Sequence, residues 1–297
     1  MPGRHLVQTA DQAAYQVPPA FADLSEGFRK WSIVNGETGS IHQEFGICEL
    51  EAGGTIDAHV HSFEESVYVL EGEVVCDTGE GSFLLEPGDY GVIPVAGAHA
   101  FRNTSSATVR WAEMVAPQPR LGSSGDTFAV DGGHLATTPI SVDPRSPRTR
   151  SFGHVAPENM DAGRQTQDML AVSASMRSAL LVYSGITVKM MVDSDLGASL
   201  STMFMVQYEP DGLAGAHDHP FEESYLILEG EVEAKFDGTA YRMSPGDAAY
   251  AGVGCIHEFR NVGDTLVRWL ETQAPQPPGR HSYRFARDWN YLDESVS

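Results

Sequence analysis

Cysteine is scarce in this chain. Cys48, Cys76 and Cys255 are its only three among 297 residues, too few and too scattered for a disulfide framework. Basic residues are scarce too: 19 lysines and arginines stand against 41 aspartates and glutamates, giving a formal net charge of −22. A surface of that sign repels phosphate backbones and anionic lipid, so neither nucleic acid nor membrane is an expected partner. No apolar run reaches membrane-spanning length, and the opening MPGRHLVQTADQAAYQVPPAF lacks the continuous apolar stretch of a secretory signal. A cytoplasmic location is the expectation. The composition that remains, 41% hydrophobic and 20% charged, fits a globular chain long enough for two domains.

What the chain does have, it has twice. His59, His61, Glu65 and His99 recur as His217, His219, Glu223 and His257, each at an offset of 158 residues. The match extends well beyond the histidines. FEESVYVLEGEV (63–74) pairs with FEESYLILEGEV (221–232), EPGDYGVIPVAGAHAFRN (86–103) with SPGDAAYAGVGCIHEFRN (244–261), and VRWAEMVAPQPR (109–120) with VRWLETQAPQPP (267–278). A repeat of this length is a domain duplication, not a solenoid period. The expected organisation is an N-terminal arm (1–29), a first unit (30–120), a linking segment (121–187), a second unit (188–278) and a C-terminal tail (279–297).

Within each unit, short alternating apolar runs are broken by Gly, Pro and Asp turns, the pattern of an antiparallel sandwich or barrel. The linking segment is less regular, and its NMDAGRQTQDMLAVSASMRSALLVYS portion is expected to hold a short helix. The aromatic-rich tail is expected to pack on a domain. PRSPRTR (144–150) is the one basic cluster and reads as an exposed linker.

Residues two apart in a strand share a face, so His59 and His61 point to one side, as do His217 and His219. Glu65 and Glu223 follow after a turn, and His99 and His257 arrive from a later hairpin. Three imidazoles and a carboxylate that converge make a ligand set for a divalent metal, and unpaired groups of these kinds are costly to bury. That set suits Mn, Fe, Co, Ni, Cu or Zn and does not choose among them.

These residues resemble the cupin motifs. The first motif is matched by G-x4-HxH-x3-E-x6-G from Gly54 to Gly72 and from Gly212 to Gly230. The second is matched by PGD…H-x3-N, spanning Pro87–Asn103 and Pro245–Asn261. Gly252 stands where the second motif normally has the proline that Pro94 keeps. The resemblance covers both units and implies an all-β bicupin: two tandem jelly-roll barrels related by duplication, each with one metal. It also implies a metal-dependent enzyme, with a dioxygenase similar to quercetinase-like cupins as the leading expectation and Mn, Fe or Ni as the favoured ion. The alternatives are a small-acid decarboxylase, a hydrolase similar to ureidoglycine aminohydrolase, and a non-enzymatic binding cupin. A small-molecule substrate is the expected partner, and association into a homodimer is compatible with the duplication.

Parity along the strands extends the site. Tyr225 shares a face with Glu223 where the first unit has Val67, and Cys255 shares a face with His257 where the first has Gly97. The second pocket is thus expected to offer a phenol and a thiol beside the metal, with Glu223, Tyr225 and Glu65 as candidate catalytic groups. Glu64 and Glu222 fall on the opposite parity and are expected to be solvated or paired with an arginine. Arg102 and Arg260 are expected to buttress neighbouring strands, and Trp111 and Trp269 to fill the cores. Glu113 and Glu271 are candidates for orienting a ligand imidazole or for structural pairing.

Overall fold

The computed structural model describes residues 4–120, 122, 125–131, 138–161, 177–181, 185–276 and 284–285. The described residues are nearly all β, with four short 3-10 turns and no helix long and apolar enough to cross a membrane. The N-terminal arm supplies β1 (His5–Gln8). The first unit follows with β2 (Ser25–Val34), β3 (Glu44–His61), β4 (Glu64–Glu71), β5 (Val74–Thr78), β6 (Gly81–Leu85), β7 (Asp89–Ile93), β8 (His99–Arg102) and β9 (Val109–Ala116). The linking segment adds β10 (Thr127–Ala129), β11 (Ile140–Ser141), β12 (Phe152–His154) and β13 (Arg177–Leu181). The second unit repeats the order with β14 (Ile186–Val192), β15 (Thr202–Tyr208), β16 (Leu213–Asp218), β17 (Glu222–Glu229), β18 (Val232–Phe236), β19 (Thr239–Met243), β20 (Ala248–Ala251), β21 (His257–Arg260) and β22 (Val267–Ala274). The tail contributes β23 (Arg284–Phe285), paired with β16.

The first unit curls as one eleven-stranded sheet in the order β11-β6-β5-β8-β3-β9-β4-β7-β12, with β2 and β10 also paired to β3. Long strand β3 makes this possible, since its first half pairs with β2 and β9 and its second half with β8 and β10. It bends at Gly53 and Gly54. Gly53 has φ +76°, and a Cβ on Gly54 would lie 2.8 Å from the Glu26 carbonyl oxygen. In the second unit the same strand is interrupted between β15 and β16, so that barrel divides into sheets ordered β1-β20-β17-β22-β15-β14-β13 and β19-β18-β21-β16-β23. The start of the N-terminal arm therefore crosses to the far barrel, with β1 extending the second unit's sheet through β20.

Both faces of the central strands are largely buried. Phe28, Cys48, Leu50 and Trp111 fill the first barrel; Phe204, Val206, Tyr225 and Trp269 fill the second. The opposite faces, with Trp31, Phe45, Ile47 and Met114 from one unit and Met191, Met203, Leu226 and Leu270 from the other, form a single core between the barrels.

One expectation is corrected here. Glu64 and Glu222 do have the opposite parity from the ligands, but that face is covered by the other barrel, leaving them 2% and 1% exposed. Each carboxylate reaches into the neighbouring unit. Glu64 accepts from Ser199 N (2.7 Å), Ser201 N (3.1 Å) and Ser201 Oγ (2.6 Å); Glu222 accepts from Ile41 N (2.8 Å), His42 N (2.9 Å) and Ser40 Oγ (2.7 Å). Residues 177–181, at the end of the stretch expected to hold a short helix, form strand β13 and pair with β14. The rest of that expectation, and most of the tail, lie outside the described residues. The basic cluster keeps Arg145, Arg148 and Arg150 exposed; Thr149 alone within it is buried and donates from Oγ1 to the Asp143 carbonyl at 2.6 Å. Arg102 does buttress a strand, pairing with Asp77 at 2.9 Å.

The reciprocal carboxylates predict a stability effect. Glu64→Ala leaves the amide and hydroxyl of Ser201 buried without their acceptor, and should cost roughly 2 kcal/mol or more. Urea unfolding measures it, and a loss under about 0.5 kcal/mol would contradict the clamp.

Candidate metal centres

In each barrel the four duplicated residues come together at one point. His59 and His61 end β3, Glu65 lies in β4 and His99 opens β8. His217 in β16, His219 just beyond it, Glu223 in β17 and His257 in β21 repeat the arrangement. Register places His59 opposite His99 and His217 opposite His257, each pair lying just past a bulge that re-aims the strand. The ligand nitrogens of each trio lie within 4.8 Å of one another. All eight side chains are buried.

The second nitrogen of each ring determines what the first can do. His59 Nδ1 donates to the Asp57 carbonyl (2.6 Å), His99 to Gly97 (2.9 Å), His217 to Gly215 (2.6 Å) and His257 to Cys255 (3.0 Å). A carbonyl only accepts, so each of these rings carries hydrogen on Nδ1 and presents Nε2 to the centre. His61 Nδ1 faces Thr127 Oγ1 at 3.0 Å; that hydroxyl can donate onward to the Gly125 carbonyl. Glu65 Oε2 lies 3.2 Å from His61 Nε2 and 3.0 Å from His99 Nε2. Nevertheless, neither Glu65 Oε2 nor His99 Nε2 has an aligned hydrogen-bond partner. Atoms that face one another without alignment suit ligands of one shared cation. The donor set, the fixed ring orientation and these two orphaned atoms all fit a divalent transition ion.

Electrostatics divides the roles among the rings. Burial, reinforced by the neighbouring imidazoles, lowers His59 and His217 to about 3, so both are neutral. Burial works against charge on His99 and His257, but the close carboxylates of Glu65 and Glu223 outweigh it and raise both. Burial likewise opposes charge on the two glutamates. At Glu65, the close imidazoles of His61 and His99 win; at Glu223, those of His219 and His257 win, and both carboxylates stay ionised.

Behind the ligands the two centres differ. In the second, Tyr225 Oη donates to Glu223 Oε2 at 2.5 Å and Gln273 Nε2 donates to Glu223 Oε1 at 2.7 Å. Glu271 accepts from Trp269 Nε1 at 3.0 Å, and burial together with the Glu223 charge pushes its pKa well up. In the first, Glu113 pairs with buried Lys30, which also reaches Glu44 at 2.7 Å. Burial disfavours the Lys30 charge, but Glu113 and Glu44 outweigh it and hold its pKa well above the usual lysine range. Glu113 thus pairs structurally, and main-chain carbonyls do the orienting of the imidazoles.

The thiol expected beside the second metal needs correction. Cys255 supports His257 through its carbonyl oxygen, while its sulfur groups with His5 and Asp237. A loop residue follows its turn and not strand parity. Lys30, Thr127 and Gln273 escaped the sequence reading. Gln273 was within reach, since it follows Trp269 and Glu271 on one face and sits directly across from Glu223.

Two stretches, 46–115 and 204–272, match the cupin domain family. The chain belongs to the cupins and carries two cupin domains. A curated relative, "Polyketide synthase CurC" of Streptomyces cyaneus, is 29% identical over 90 residues, which are 29% of this chain and 58% of that protein. The match thus spans little more than half that relative's length. Among solved structures, the salicylate 1,2-dioxygenase of Pseudaminobacter salicylatoxidans superposes with TM-score 0.63 at 15% identity, over 79% of this chain and 71% of its own. The oxalate decarboxylase of Lactobacillus farciminis, in its formate complex, gives TM-score 0.63 at 16% identity, over 97% and 90%. Likeness at this identity establishes the fold.

Metal binding should compete with protons. An imidazole binds an ion only when its coordinating nitrogen is unprotonated, and the neighbouring glutamates raise the pKa of His99 and His257. Affinity should therefore rise with pH through the histidine range, with release of about one proton per site. Calorimetric titration in buffers of different ionisation enthalpy measures both. Affinity that stays flat between roughly pH 5.5 and 8 would contradict the assignment.

Proposed function

We propose that the protein is a metal-dependent enzyme that oxidises a small enol, phenolic or keto-acid substrate with dioxygen. One divalent transition ion would occupy each cage, held by His59, His61, Glu65 and His99 or by His217, His219, Glu223 and His257. Mn, Fe or Ni is favoured, with Co, Cu or Zn as alternatives; the oxidative reading requires redox capacity, which Zn lacks. The observation that carries the proposal is the fixing of the rings through Nδ1, which turns the Nε2 lone pairs onto one point beside a buried carboxylate. Bound there, such an ion supplies Lewis acidity toward a chelating oxygen pair and a means of engaging dioxygen.

The chain's own residues complete the site. Glu223, and Glu65 in the first barrel, accept the proton that a chelating enol or phenol gives up. Tyr225 keeps Glu223 oriented through its 2.5 Å hydrogen bond, and for this reason turnover is assigned mainly to the second barrel. In the first barrel Phe21 stands edge-on to His59 at 5.4 Å and Phe63 stacks on His61 at 4.2 Å, an aromatic wall suited to a planar conjugated ligand. On a chain of net charge −22, a bound cation is also the local field that would draw an anionic substrate.

A second reading, decarboxylation of a small acid without oxygen consumption, uses the same cages and is supported by the likeness to an oxalate decarboxylase along nearly the whole chain. Elemental analysis and an oxygen electrode separate the readings. Protein purified without chelator should carry about two transition-metal equivalents. Less than half an equivalent would contradict the metal reading, and carbon dioxide release from small acids without oxygen uptake would replace the first reading with the second. His217→Ala with His219→Ala should abolish turnover, whereas His59→Ala with His61→Ala should spare part of it; equal losses would remove the preference for the second barrel.

A further inference from the structure

The two cages have the same ligands but differ in how their glutamate is held. Glu223 has a hydrogen-bond donor on each oxygen, Tyr225 Oη on Oε2 and Gln273 Nε2 on Oε1. Gln273 is itself fixed, since its Oε1 accepts from Thr202 Oγ1 at 3.3 Å. Tyr225 is 1% exposed and packs its ring against Phe259 at 4.8 Å, so the phenol has little freedom to turn away. Glu65 occupies the equivalent place in β4, but the residues corresponding to Tyr225 and Gln273 are Val67 and Val115. Valine side chains donate nothing. Glu65 is thus oriented only through His61 and His99, and its Oε2 has no aligned donor.

A ligand carboxylate pre-set by neighbours that remain in place after binding loses less rotational freedom when the ion arrives. Removing such neighbours commonly costs 10- to 100-fold in metal affinity. We infer that Tyr225 and Gln273 are positioning residues that make the second cage the stronger metal site, so that the two cages load in sequence, the second barrel first. This rests on the metal reading above.

The strength of the two sites is measured by titrating chelator-stripped protein with Co2+ and following its visible absorption against a competing chelator. His59→Ala with His61→Ala identifies the step belonging to the second cage, and His217→Ala with His219→Ala that of the first. Wild-type protein should load in two steps about 10-fold or more apart in affinity, the second cage first. Tyr225→Phe with Gln273→Leu should bring the two steps together, an effect that a loss of overall stability would not produce. Should that variant not fold, Val115→Gln carries the test, with an expected severalfold gain at the first cage. Equal steps in the wild type, first-cage priority, or steps unmoved by these substitutions would overturn the inference while leaving the metal reading intact. Absence of Co2+ binding at both cages would overturn both.

Discussion

Three imidazoles and a carboxylate buried at one point are tolerated only if nearly every polar atom among them is satisfied, and the rest of each barrel is arranged around that requirement. The bulges at the ends of β3 and β16 turn paired histidines inward. The backbone just before most of the ligand histidines supplies the carbonyls that take their Nδ1 hydrogens. With those hydrogens committed, the Nε2 atoms are left for the carboxylate or for a cation. The same few residues therefore determine ring orientation, tautomer and coordination.

The barrels also depend on one another. Each lends a loop to the other's buried glutamate, Ser199–Ser201 to Glu64 and Ser40–His42 to Glu222, and a common core fills the space between them. The glutamates involved sit immediately before the metal ligands Glu65 and Glu223. Successive residues of one strand thus serve the inter-barrel contact and the metal cage, the two uses separated only by the alternation of a β-strand. Strand β1, which crosses from the N-terminal arm to the second barrel, adds a further tie.

Much of this was legible in the sequence, for a specific reason. Duplication supplied an internal comparison, so the convergence of the eight duplicated residues and the inward parity of Val67, Tyr225, Trp111 and Trp269 followed from spacing, while the barrel fold rested on the cupin resemblance. The failures share a cause as well. For Glu64 and Glu222, parity tells which face the residue occupies but not what covers that face. Cys255 was misplaced because parity lapses in a turn. Lys30 was invisible because its partners, Glu44 and Glu113, are remote in sequence and the second barrel has Val188 at its place. The substitutions are coordinated: Lys30, Glu44 and Glu113 in one barrel stand where Val188, Thr202 and Glu271 stand in the other. Identical cages are thereby backed by an ion-paired cluster in the first barrel and by neutral hydrogen-bond donors in the second.

The account stands on the claim that both constellations are metal cages. Anomalous diffraction from crystals of protein purified without chelator, recorded on either side of the metal's absorption edge, tests it most directly. The account predicts one anomalous peak in each barrel, within bonding distance of three Nε2 atoms and a glutamate oxygen. Density without an anomalous signal in both cages, or a signal confined to other residues, would contradict it.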